Sequence, residues 1–98
     1  MHGIDPDRPP TDDHPYHGLW ETADRHVRHR LLPAGRYDEA RGDRESAYTG
    51  RYWVDGDHIT YLDDTGFTAD GDFRDGVLHH AGMVMRRRDE GGEGGEAR

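Results

Sequence analysis

The chain has 98 residues, of which 31% are hydrophobic and 35% charged, with 21 acidic against 13 basic side chains and a formal charge of -8. There is no cysteine, so disulfides and thiolate metal sites are excluded, and the net acidity argues against a nucleic-acid footprint, which needs clustered positive charge. No apolar run approaches the length of a membrane span and no charged-then-apolar leader pattern is present, so no membrane partner and a cytoplasmic location are expected.

Met1 to His14, rich in Pro and Asp without periodicity, reads as a disordered leader. The folded domain is expected over residues 15–88, and residues 89–98 read as a disordered acidic tail. Between them, short alternating runs separated by turn signals predict strands over Gly18–Thr22, Arg25–Leu32, Arg36–Arg41, Ser46–Val54 and His58–Leu62. Further strands are expected over Phe67–Ala69, from Phe73 by a bulged approach to Val77–His80, and over Met83–Arg87. Pro33-Ala34-Gly35, Gly42-Asp43, Asp55-Gly56 and Asp63-Asp64-Thr65-Gly66 supply the turns. The result is an all-β meander of seven or eight antiparallel strands, a barrel or sandwich, with a barrel preferred because closure removes exposed edges.

The strings HPYHGLWETAD, LLPAGRYDEARGDRESAYTGRY and GDHITYLDDTGFTADGDF resemble a family of short bacterial proteins of unknown function, first defined from an Agrobacterium protein. The resemblance spans Tyr16 to Arg87 and implies a streptavidin-like barrel, related in shape to avidins and lipocalins, with a ligand cavity. Gly18-Leu19-Trp20 also looks like the G-x-W opening of those folds. No reaction comes with the resemblance, and biotin binding is not carried over.

The strands are unusually polar for a core, and their alternation nominates a lining. Tyr37, Glu39 and Arg41 share a face of the third strand, where Arg41 suits bidentate carboxylate binding. Tyr48, Gly50 and Tyr52 share a face of the fourth, where the missing side chain at Gly50 reads as a barrel corner or as space for a bound ring. Trp20 reads as a core plug of the closed end or a ligand-stacking wall. Tyr61, Phe67 and one of His79 and His80 complete the expected ligand set, since adjacent strand residues face opposite sides.

Other motifs have plainer readings. Asp63-Asp64-Thr65-Gly66 contains the D-T-G of aspartic proteases, but a protease needs two such loops, and an Asp-Gly turn explains it better. Asp63, Asp64, Asp70 and Asp72 do not have the calcium-loop spacing. His26 and His29 lie three apart on a strand and face opposite sides, so no metal site is expected, and no cofactor.

The leading expectation is therefore a β-barrel that binds an unidentified small molecule. A second is an enzyme of cyclisation or isomerisation in a biosynthetic pathway, with His79 or His80 as proton shuttle and Glu39 or Asp64 orienting it. A third is a protein-interaction module, a homodimer formed through outward-facing Arg51 and Trp53.

Overall fold

The computed structural model describes residues 4–88. Within them eight strands run in chain order: β1 (Gly18–Glu21), β2 (Val27–Leu31), β3 (Arg36–Arg41), β4 (Arg44–Asp55), β5 (His58–Asp63), β6 (Thr68–Arg74), β7 (Val77–His80) and β8 (Met83–Arg88). Each pairs antiparallel with the next, and β8 returns to pair with β1 through Trp20 opposite Arg87, closing the sheet into a barrel. Closure leaves no open sheet edge among these strands, which decides the barrel over the sandwich. Apart from the single turn at Pro33–Gly35, no helix is formed among the described residues, and none is long and apolar enough to cross a membrane.

Two expectations about strand boundaries change. The sequence suggests a break between Ala69 and Phe73, but β6 runs unbroken, with Thr68 to Asp72 in register with β5 and Gly71 to Arg74 with β7. Gly71 makes this continuity possible, because a Cβ there would lie 2.7 Å from the backbone oxygen of His79. The irregularity falls instead on β3, where the register with β4 shifts between Glu39 and Arg41. Bulges of this kind re-aim side chains beside functional sites.

Period-two alternation sorts the side chains. Trp20, Leu31, Tyr52, Ile59, Leu78 and Met85 point inward and are fully buried. A meander places its hairpins alternately at the two barrel ends. At the end carrying the β2–β3, β4–β5 and β6–β7 turns, Tyr16 stacks on Phe73 with ring centroids 3.7 Å apart, and Phe73 in turn lies 5.0 Å from Trp20. That end is plugged by aromatics.

Residues 4–17 approach the same end and lie against β4. Arg8 grips Asp55 with both terminal nitrogens (2.6 and 3.0 Å), and Arg51 donates to the carbonyl of Pro6. The Trp53 indole N–H donates to the carbonyl of Arg8 at 3.1 Å, and the Val54 N–H to Thr11 Oγ1 at 2.7 Å. The sequence predicts disorder through His14 from polarity alone. Over residues 4–14 the structure has a strap, because long-range polar contacts and the outward Trp53 ring give that segment a partner. Met1 to Gly3 and the acidic tail at 89–98 lie outside the described residues.

Candidate functional site

β2 alternates Val27, His29 and Leu31 inward against Arg28 and Arg30 outward, which carries an imidazole into the core beside β3. His29 is 1% exposed and Glu39, directly opposite it on β3, is 6% exposed. His29 Nε2 lies 3.0 Å from Glu39 Oε1, yet off the line of a well-formed hydrogen bond. The other carboxylate oxygen accepts from Arg41 Nε at 2.5 Å. Burial pushes the Glu39 carboxyl up, but His29 and Arg41 together outweigh it and hold it below its ordinary value. An ionised carboxylate facing Nε2 calls for the proton there, leaving Nδ1 to accept from the Tyr61 hydroxyl at 3.1 Å. Burial, followed by the charge of Glu39, raises the Tyr61 phenol well above its usual range, so it stays a donor. Glu39, His29 and Tyr61 thus form one buried polar line.

His80 enters from β7 with its ring 5.2 Å from His29 and 5.0 Å from Tyr61. Its Nδ1–H donates to the carbonyl of Asp70 at 3.0 Å, which leaves Nε2 as an acceptor. Burial dominates in pulling its pKa below the ordinary value. Tyr37 packs edge-on against Tyr61 at 5.0 Å.

A pocket of about 140 Å³ lies at the end opposite the aromatic plug, lined by Tyr37, Glu39, Arg41, Tyr48, Tyr61, Phe67 and His80 together with Asp63, Thr68 and Ala69, with His29 buried behind Glu39 and Tyr61. Two rim aromatics are exposed, Phe67 at 75% and Tyr48 at 44%. Arg41 lies over the Tyr48 ring, 5.2 Å from its centroid. Asp63 shapes the rim: its Oδ1 accepts from the Thr65 N–H (2.9 Å), the Thr65 hydroxyl (2.8 Å) and the Phe67 N–H (2.9 Å), fixing the turn that presents Phe67. The Asp-Thr-Gly string is therefore a turn, in keeping with the plainer reading. Larger hollows of about 330 and 390 Å³ lie around the β1–β2 turn, but they are broad surface depressions lined by exposed residues such as Ala23, Arg25 and Val84.

The expected lining divides cleanly. Tyr37, Glu39, Arg41, Tyr48, Tyr61, Phe67 and His80 come together at this mouth. Trp20 and Tyr52 point inward but away from it. Trp20 donates its indole N–H to the Tyr16 carbonyl at 2.9 Å, and the Tyr52 hydroxyl donates to the Leu32 carbonyl at 2.9 Å. His79 pairs with Asp72 and Val84 on the outward face, away from the pocket. Asp64 is also outside, gripped by both terminal nitrogens of Arg36 (3.0 and 2.9 Å) and by Thr49 at 2.7 Å, which lowers its pKa to about 2. Neither residue reaches the buried line, so the His79 and Asp64 versions of a proton shuttle have no geometry behind them.

The space beside Gly50 is filled by backbone: a Cβ there would lie 2.3 Å from the Leu62 oxygen and 2.5 Å from the Asp63 Cα. It is a close strand approach, not a slot for a ring. Of the outward face nominated for a homodimer, Trp53 is only 2% exposed beneath the strap, covered by the chain's own residues, while Arg51 is exposed. His29 is what the sequence reading missed. The alternation of Val27 and Leu31 with Arg28 and Arg30 carried the signal that it faces inward.

Residues 13–87 match the family described as Agrobacterium tumefaciens protein Atu4866. The chain belongs to that family. The solution structure of the Agrobacterium tumefaciens protein Atu4866 is 64% identical to this chain and superposes with a TM-score of 0.69, covering 78% of this chain and 98% of that one. No curated protein matches. Every pocket residue falls within the part matched to the Atu4866 family, whereas most of the strap precedes it.

Proposed function

We propose that the barrel binds a small carboxylate-bearing molecule, or the carboxylate head of a longer one, at the Arg41 mouth. The observation that carries this reading is Arg41 itself. Its Nε is fixed on Glu39 and its guanidinium face on Tyr48, while no hydrogen bond from its terminal nitrogens to the protein is formed among the described residues. A guanidinium held in this way is pre-oriented for a planar anion. Phe67 and Tyr48 offer exposed ring faces to the remainder of the ligand. A pocket of about 140 Å³ lies below the usual range for a drug-sized ligand, so the bound part is small and anything larger extends across the rim.

The test is a thermal-shift and NMR titration with aromatic and aliphatic monocarboxylates, each paired with its neutral amide. A ligand that binds only the native state raises the melting temperature by mass action. The carboxylates are expected to shift it and their amides not, with the effect lost in Arg41→Gln. Equal shifts in wild type and Arg41→Gln, or no shift from any carboxylate, would refute the assignment.

A second reading rests on the buried Glu39–His29–Tyr61 line. A buried imidazole needs such a partner in any case; what favours chemistry here is that Tyr61, the partner of His29, lines the pocket and connects the buried ring to a bound molecule. Acid/base isomerisation or cyclisation is the chemistry this line suits, with His29 in the role first given to His79 or His80. Under that reading His29→Gln keeps ligand affinity and abolishes turnover of any ligand found to be converted. Full turnover in His29→Gln would remove it.

A further inference from the structure

We propose that Asp12, His14 and His17 form a binding site for a divalent cation of the zinc class, which pins the strap to the plugged end of the barrel. One ligand atom from each of the three side chains lies within 4.8 Å of the others. The His14 and His17 rings are stacked with centroids 4.2 Å apart and planes 28° from parallel, so one ring turns about its side-chain bonds for both in-plane lone pairs to meet one ion. Two imidazoles and one carboxylate are a donor set preferred by zinc and its neighbours over calcium or magnesium. His26 and His29 diverge on a strand, whereas Asp12, His14 and His17 precede β1 and are free of that alternation.

The surroundings are arranged as supporting contacts for such a set. The Asp12 carboxylate accepts from the Ala34 N–H at 2.9 and 3.1 Å, which fixes its orientation. His14 Nε2 lies 3.1 Å from the Tyr52 hydroxyl, which itself donates to the Leu32 carbonyl, so Nε2 carries the proton. That leaves the lone pair on Nδ1 for a metal. An imidazole whose distal N–H is held by a fixed acceptor is the usual arrangement of a ligating histidine. His17 Nε2 already faces Asp12 Oδ1 at 3.5 Å, across the gap an ion would fill. Binding would displace the contact from the Tyr16 N–H to His14 Nδ1 at 3.1 Å and the His17–Asp12 contact itself. Three protein ligands leave a fourth position for water, and since Ala34 and Tyr52 belong to the barrel, occupancy ties the strap to it.

Zinc chloride titrated into the full chain tests the site. Saturable one-to-one binding is expected, with a raised melting temperature and shifts of the His14 and His17 ring nitrogens. Affinity should fall by at least about tenfold in His17→Gln and in Asp12→Asn, both surface changes that leave the Tyr52 contact intact. His58, which pairs with Asp70 and Asp72 on the barrel exterior at 3.4 and 3.0 Å, is the control for adventitious surface binding, and His58→Gln should retain full affinity. Absence of one-to-one binding, undiminished affinity in His17→Gln and Asp12→Asn, or loss of binding in His58→Gln would each overturn the proposal.

Discussion

Replacing Glu39 by alanine removes the group that joins the buried imidazole to the arginine at the pocket mouth. Breaking a fully buried ion pair costs about 3–5 kcal/mol because a charge is stranded. Here Arg41 has 45% of its side chain exposed and turns to water, so its charge is not stranded. What is lost is the acceptor beside a buried ring nitrogen, worth about 1–3 kcal/mol. In a domain of this size about 2 kcal/mol lowers the melting temperature by about 8–16 °C. Glu39→Gln keeps the volume and an acceptor and should cost about 1 kcal/mol.

The carboxyl also has a pH signature. Its folded pKa is below the ordinary 4.5, so its stabilisation is complete above the unfolded value and drains away as pH falls through the folded one. The gap between wild type and Glu39→Gln should therefore be widest near neutrality and close under acid. Urea melts of the three proteins across that range provide the assay. A midpoint for Glu39→Ala equal to wild type at neutral pH, or a gap that does not narrow on acidification, would refute the reasoning.

Two other outcomes follow from specific contacts. Gly50→Ala drives a methyl group into the β5 backbone, which cannot rotate aside, and should destabilise by about 3 kcal/mol or more, read as a collapse of the urea midpoint. His80 is held neutral by burial below the ordinary 6.5, so the unfolded chain takes up its proton first as pH falls. Stability is therefore expected to decline from about pH 6.5 downward until the folded pKa is passed, and His80→Gln should flatten that slope in the same melts.

Strand order and most turns were legible because alternation and Asp-Gly chemistry are local. β3 (Arg36–Arg41) and β7 (Val77–His80) coincide with their expected spans. Asp75-Gly76 and Ala81-Gly82 both take positive φ (53° and 76°, 52° and 77°), as tight hairpins require, and only the glycines announce this in sequence. The pocket was partly legible for the same reason: alternation places Tyr37 and Glu39 on one face, and β4 supplies Tyr48. What alternation cannot give is depth along the barrel axis. Tyr52 and Tyr48 share a face, yet one bonds the Leu32 carbonyl at the plugged end and the other lies at the open mouth. Of the two readings of Trp20, core plug or ligand wall, alternation could not choose for the same reason; its ring lies 5.0 Å from Phe73 at the plugged end. The covered state of Trp53 was illegible because it depends on contacts to Pro6, Arg8 and Thr11, more than 40 positions away in sequence.

The strap covers the outer side of β4 around Trp53 through side-chain contacts, resting on the barrel without being woven into its hydrogen-bond ladder. Segments attached in this way open with a free energy separate from that of global unfolding. Each opening bares an indole and frees Arg51 beside it, the residue types most enriched at protein contacts. The population of a sticky, still-folded barrel is thus set by strap docking: by the Arg8–Asp55 grip, by Thr11, and by whatever holds Asp12 to Ala34.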